Sequence, residues 1–398
     1  MLKKLSLAAL IAMGSMSVAS ATPLTEAIKG VDLSGMLRIR FYNDDPEDGQ
    51  KTDRWRTNGI FIFKVPAGEH IKFVYRASVQ TDAKGLRDNG ALAHVGALNS
   101  NDPVDVGHMN NLLFMAYSNN GLNAMVGKIP VKSPITSADP ATPGHGAGAI
   151  VSYNVGNGLT VAGGYVDALK HADPFDYENY IGDLITTSLY LGALVYNSDM
   201  VDAQAWYFHM PNLIKHEYVV SAKVKALKEY GVTIEANYAS SKLDDNEKFN
   251  YNGTILDLSN ADDTKKYYDI TVKYNNAGIH GLVGYANSSD DEGKVTTSVD
   301  SPLGGVLPTQ QVTNIANYRD MDAWYGMVGY DVTSALNVSA RYAHFDASDD
   351  DGDADEYVAQ VDYKYNKKLS FEAYYSVFDA DEEDGDKNEL RLQAQYNF

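Results

Sequence analysis

Apolar and polar side chains alternate with a period of two through most of this chain. In "VDLSGMLRIRF", Val31, Leu33, Gly35, Leu37, Ile39 and Phe41 share one face while Arg38 and Arg40 share the other. "IKFVYRASV" groups Ile71, Phe73, Tyr75, Ala77 and Val79 against Lys72 and Arg76. "LSFEAYYSVF" groups Leu369, Phe371, Ala373, Tyr375 and Val377. A period of two is the signature of strands with two unlike faces. It predicts eighteen of them, near 33–41, 54–64, 71–80, 109–118, 124–131, 149–154, 159–166, 186–196, 200–209, 216–224, 232–240, 267–275, 279–287, 322–332, 336–345, 356–365, 369–378 and 390–398.

The connections alternate as well. Those after even-numbered strands are short, as in "NNG" within 119–123, "GNG" within 155–158, "NSD" at 197–199 and "NAG" at 276–278. Those after odd-numbered strands are mostly long: 81–108, 132–148, 167–185, 241–266 and 288–321. The chain ends "ELRLQAQYNF", which alternates through Leu390, Leu392, Ala394, Tyr396 and Phe398. Such an end reads as a strand paired to its last residue rather than a frayed tail. At the other end, Lys3 and Lys4 precede the apolar stretch Leu5–Val18 and the small-residue site Ala19-Ser20-Ala21. Residues 1–21 therefore read as a signal peptide, with the folded domain over 22–398.

Composition narrows the class. There is no cysteine, so stability must come from a large core or a closed sheet rather than from disulfides. The formal net charge of −20 disfavours a nucleic-acid partner. The 28 tyrosines suit membrane–water interfaces, where the ring is half wet. A mean hydropathy of −0.31 does not exclude a membrane barrel, because outward and inward faces cancel in the average. An even strand count, strands of about 9–11 residues, and short turns opposite long loops together predict an all-β, 18-stranded antiparallel transmembrane barrel in a Gram-negative outer membrane. A secreted sandwich or solenoid would instead show polar outer faces or a fixed repeat.

Three stretches resemble the Campylobacter-type (epsilonproteobacterial) major outer membrane porins: "ATPLTEAIKGVDLSGMLRIR", "GNGLTVAGGYVDA", and "VDYKYNKKLSFEAYYSVFDAD" with "RLQAQYNF". The resemblance implies a homotrimer of eighteen-stranded barrels that passes ions and small hydrophilic solutes. It also implies a third loop folded inward to narrow the pore, here about 132–148. Pro134, Pro140 and Pro143 would stiffen that loop, while Gly144, Gly146 and Gly148 would let it bend. Finally, it implies Ca2+ held by acids of the third and fourth loops. The candidates here are Asp139, Asp173 and Asp176.

The residues themselves point to the lumen. Arg38, Arg40, Arg56, Arg76, Arg341 and Arg391 fall on polar strand faces, and arginine on the lipid face at midplane costs about 2–4 kcal/mol. A basic wall opposite an acidic loop would set a transverse field across the pore. "DASDDDGDAD" (346–355) and "DADEEDGDKN" (379–388) read as repelling loop tips, or as outer sites for divalent cations bridging to lipopolysaccharide phosphates. Ala347 and Ala380 sit where a calcium-binding EF-hand loop needs its first ligand. Enzyme signatures are absent, and "GHGAG" around His145 resembles an oxyanion-hole run only superficially. The expectation is a passive, cation-preferring channel contacting outer-membrane lipid and lipopolysaccharide. The rival is an adhesin or structural surface barrel with little transport role.

Overall fold

The computed structural model describes residues 30–398 apart from 48–50, 87–97, 100, 101, 104–106, 141, 142, 171–187, 212, 245–247, 252, 253, 258–263, 292–294, 299, 313, 348–352 and 382–384. The predicted signal peptide lies outside the described residues. The backbone forms one eighteen-stranded sheet. Its strands are β1 (Asp32–Pro46), β2 (Thr52–Pro66), β3 (Ile71–Leu86), β4 (Gly107–Asn119), β5 (Leu122–Pro130) and β6 (His145–Gly156). Next come β7 (Leu159–Lys170), β8 (Leu189–Asn197), β9 (Val201–Met210), β10 (Ile214–Val224), β11 (Val232–Leu243) and β12 (Thr264–Asn276). The last six are β13 (Ile279–Ser288), β14 (Met321–Asp331), β15 (Leu336–Ala347), β16 (Ala354–Lys364), β17 (Leu369–Ala380) and β18 (Lys387–Asn397). No described helix is long and apolar enough to cross a membrane.

Each strand pairs antiparallel with its neighbours in sequence, and β1 pairs antiparallel with β18, from Met36 opposite Asn397 to Pro46 opposite Lys387. The ladder is the expected seal. Hydrocarbon supplies no partner for a backbone N–H or C=O, so a membrane sheet must have no edge. Pairing runs to the last residue: the Gly35 amide donates to the Phe398 carbonyl at 3.0 Å, and the Phe398 amide donates to the Gly35 carbonyl at 3.1 Å. The Phe398 ring lies over Gly35, where a Cβ would come within 2.6 Å of the ring and 2.1 Å of the Ile60 carbonyl oxygen. The same ring sits 5.9 Å from that of Phe61.

The two faces separate as the alternation requires. Leu37, Ile39, Val220, Ile270, Val283, Val328 and Leu392 are exposed on the outer face. Outward aromatics gather near the long loops, including the ring pairs Tyr165–Tyr190, Tyr207–Tyr218, Tyr285–Trp324 and Tyr342–Tyr357 at 4.5–5.3 Å. A second set near the short turns includes Tyr153, Tyr196, Tyr274, Tyr330, Tyr363 and Tyr396. Two such belts bracket the hydrocarbon of a membrane barrel. At the turn end, Asn120-Gly121, Asn157-Gly158 and Ala277-Gly278 have positive φ at both central residues, the geometry that matches hairpin twist.

Two boundaries differ from the sequence expectation. β1, β2 and β3 run to 15, 15 and 16 residues, so they continue pairing well past the length a bilayer demands. β6 begins at His145 rather than near 149, so the third loop ends at Gly144. Gly146 and Gly148 are paired strand residues, not hinges. A Cβ on Gly148 would fall 2.0 Å from the Tyr165 carbonyl oxygen, so the glycine serves close strand approach.

Gly35→Val should therefore impair sealing of β18 onto β1. On gels run with and without boiling, the compact heat-modifiable species should fall sharply for Gly35→Val. It should be unchanged for Gly68→Ala, where an added Cβ meets nothing within 4 Å.

Candidate functional site

Two long connections fold into the barrel instead of over it. The third loop, between β5 and β6, buries Val131, Ile135, Thr136 and Ser137. The loop between β13 and β14 buries Val295, Leu303, Leu307, Val312 and Ile315. Together with inward residues of β3–β5 and β7–β15 they form an apolar cluster inside the barrel, including Phe114, Phe208, Met210, Val219, Tyr267 and Phe345. The loops are stitched to each other by backbone. Thr297 N donates to Ile135 O at 2.8 Å, Leu303 N to Pro134 O at 2.9 Å, and Ala138 N to Asp300 O at 2.8 Å. The second loop is also tied down by the fully buried Glu356 on β16. Its carboxylate accepts from Gln310 N at 2.8 Å, Gln311 N at 3.1 Å and Ser376 Oγ at 2.6 Å. Burying an aliphatic side chain as large as Ile315 stabilises by about 1.5–3 kcal/mol, which holds such a loop against its lost freedom.

This packing fills one side of the lumen. The other side is the wall β18–β1–β2–β3, and it is basic. Arg38, Arg40, Arg54, Arg56, Arg76, Arg341 and Arg391 all sit on inner strand faces, opposite outward residues such as Ile39, Trp55, Phe73, Tyr342 and Leu392. Cross-strand register places Arg40 beside Arg56 on β2 and Gln393 on β18, and Tyr42 beside Arg54 and Arg391. Arg40 donates to Gln393 Oε1 at 2.5 Å and to the Tyr42 hydroxyl at 3.2 Å. Arg54 lies over the Tyr42 ring at 4.5 Å, and Arg391 over Tyr374 at 4.3 Å. Arg391 also donates to Glu372 at 2.6 Å. Tyr374 donates to Glu389. Arg341 stands apart on β15, with Asp362 and Glu372 as its opposite-charge neighbours.

The third loop reaches across to this wall. Arg38 approaches Asp139 at 3.7 Å, and Arg76 donates to the Pro140 carbonyl at 2.7 Å. From the second infolded loop, Gln311 accepts from Lys387 on β18 at 2.9 Å. The Nε donors of Arg38, Arg341 and Arg391 are buried and have no protein acceptor among the described residues.

The acids proposed for calcium fare differently. Asp139 is engaged with Arg38, and a cation there would have to displace a guanidinium. Asp173 and Asp176 lie outside the described residues. Among the described residues no group of three metal-ligating side chains is arranged to hold an ion. His145 is buried, with Nδ1 3.1 Å from the Pro143 carbonyl, and is part of the β6 wall.

Among the described residues, period-two reading located six of the seven inward strand arginines and overlooked Arg54, which shares its face with Arg56. It also overlooked the infolding of 289–320. The signal was present there, since Val295, Leu303, Val306, Leu307, Val312 and Ile315 are too apolar for a loop meant only for water.

Ile315→Asp should expel the second loop, because a buried unpaired carboxylate costs several kcal/mol. Single-channel conductance should rise while heat-modifiable mobility stays as in the parent chain.

The solved structures most similar in shape include Pseudomonas aeruginosa OccK5 (OpdH), at 15% identity and TM-score 0.67 over 93% of this chain and 99% of that one. Acinetobacter baumannii OccAB1 gives 14% identity and TM-score 0.72 over 92% and 96%. Acinetobacter baumannii OccAB4 gives 14% and 0.69 over 92% and 98%. At these identities the likeness concerns the fold. No curated protein sequence matches the chain. The model of the family described as Campylobacter major outer membrane protein matches residues 1–398, so this chain belongs to that family and is an outer-membrane β-barrel of the porin kind.

Proposed function

We propose that the barrel is a passive diffusion channel for ions and small hydrophilic solutes, filtered where the two infolded loops face the arginine wall. The observation that carries this reading is the contact of Asp139 and Pro140 with Arg38 and Arg76. It brings the Asp139 carboxylate and the Pro140 carbonyl against a basic wall across the lumen. Fixed opposite charges across a narrow passage orient dipolar solutes and resist large apolar ones. No covalent chemistry is needed for that task.

Cation preference follows from the balance beyond the eyelet. Apart from Arg341 on β15, the inward arginines lie on the β18–β1–β2–β3 wall, where Glu372 and Asp139 partly neutralise them. The chain as a whole carries −20, and its loop tips at 346–355 and 379–388 are dense in acid. A net negative field at the mouth raises the local cation concentration. Assembly as a homotrimer belongs to the same proposal and rests on the family resemblance.

In planar bilayers the purified chain should give large ohmic steps. A silent barrel would favour the adhesin or structural reading. Across a salt gradient the reversal potential should report cation preference, and an anion-selective value would overturn it. Arg40→Glu should move that potential further toward cations, whereas Asp139→Asn should move it the other way.

A further inference from the structure

At the turn end of the lumen, β9, β10 and β11 form a recess of about 300 Å3. Outward Tyr207, Val220, Tyr238 and Ile270 fix the alternation, so Gln204, Ser221, Asn237 and Asp269 face into the barrel. Register stacks three inner rows on this wall. Trp206, Val219, Ala239 and Tyr267 belong to the apolar cluster that holds the infolded loops. Next toward the turns come Gln204, Ser221, Asn237 and Asp269. The row nearest the turns is Asp202, Lys223 and Glu235. The turns below it, 198–200 and 225–231, are described throughout.

The last row alternates in sign. Asp202 stands directly opposite Lys223, and Lys223 directly opposite Glu235. Glu235 accepts from Lys223 at 2.8 Å and from Lys273 on β12 at 2.5 Å. Asp202 accepts from Lys225 at 2.7 Å rather than from Lys223. With Asp269 the patch holds three acids against three lysines, so it carries no net charge, unlike the arginine wall across the lumen. The Lys223 and Asp202 side chains stay 45% and 32% exposed. An ammonium has three donors and a carboxylate about four lone-pair sites, so each keeps capacity beyond its one ion pair. The row above is neutral and mixed. Gln204 accepts from Trp206 Nε1 at 2.9 Å, which leaves its NH2 as a donor. Asn237 donates to both Asp269 oxygens at 2.9 and 3.0 Å, which leaves its carbonyl as an acceptor.

A solute with one charge gains little here. A cation at Asp202 is repelled by the neighbouring Lys223, and an anion at Lys223 is repelled by Asp202 and Glu235. A solute with both charges escapes both penalties when its carboxylate lies on Lys223 and its ammonium on Asp202. Neighbouring strands stand about 4.8 Å apart, a spacing that suits charges separated by one carbon atom and not the distant ends of a longer peptide. We infer that this recess binds a zwitterionic α-amino acid, with its carboxylate on Lys223, its ammonium on Asp202 and its side chain toward Gln204, Ser221 and Asn237. The assignment rests on the channel reading above, and it gives the channel a solute station on the turn side of the eyelet.

The test uses the full chain in planar bilayers at neutral pH, with ion-current noise titrated by L-alanine. The parent chain should show saturable excess noise. Asp202→Asn/Lys223→Gln, which keeps the net charge, should weaken the apparent affinity roughly tenfold, with conductance and heat-modifiable mobility unchanged. N-acetyl-L-alanine and L-alaninamide carry one charge each, and their noise should be the same in parent and variant. Asp32→Asn/Lys64→Gln removes an acid and a base that already pair with each other at 3.1 Å on the opposite wall, and this variant should respond to L-alanine as the parent does. Lys223→Gln alone should show a partial loss if the double variant assembles poorly. A conducting parent with no saturable L-alanine response would overturn the site and leave the channel reading standing. So would an L-alanine response unchanged by the Asp202 and Lys223 substitutions, or an equal loss for the two singly charged derivatives. A silent barrel would overturn both.

Discussion

A peptide group inside hydrocarbon has no water to pair with, and that one constraint organises this molecule. It forces the sheet to close, and closure makes β18 the neighbour of β1. The chain's last residue is consequently as well paired as any other. Phe398 exchanges both backbone bonds with Gly35, and its ring occupies the space that a side chain at 35 would need. The period of two follows from the same cause. A closed sheet has only an inside and an outside, and consecutive side chains must divide between them.

An eighteen-stranded ring is too wide for its own wall residues to fill, so what occupies the lumen is a separate question. Here an apolar cluster does so on one side only. The loop at 289–320 and the third loop bury Ile315, Leu303, Val131 and Ile135 against Phe208, Tyr267 and Phe345. This inner core gives the loops a reason to stay inside. It also explains how a barrel with no disulfide fixes two long segments in its lumen: backbone bonds between the loops and the buried Glu356 carboxylate satisfy the polar groups that packing would otherwise strand.

The strand framework was legible because every strand carries its own local signal. Alternation in Leu369–Phe378, or in Leu390–Phe398, needs no knowledge of the rest of the chain. The arginines were legible for the same reason, since each occupies the face opposite exposed aliphatics. What escaped was non-local. His145 to Gly148 look like a flexible loop until partners on both β5 and β7 are known. The apolar residues of 289–320 have no period, so their destination depends on a cavity built by strands far away in sequence. Asp139 was expected to face the pore and, on the family resemblance alone, to hold Ca2+; its pairing with Arg38 depends on a loop crossing the lumen.

The arginine wall and the seal of the barrel are one structure. Arg38 and Arg40 lie on the first strand and Arg391 on the last, more than 350 residues apart in sequence, as the Arg40–Gln393 bond spans 353. They become neighbours only when the ends of the chain join. Before closure, the polar faces of β1 and β18 would stand at open edges, with like charges free to stay apart. At closure, Gln393, Tyr42, Tyr374 and Glu372 slot between the guanidiniums and offset their repulsion. A barrel left unsealed would therefore lack its basic wall as well as its membrane seal, and both exist only in molecules that have completed their fold.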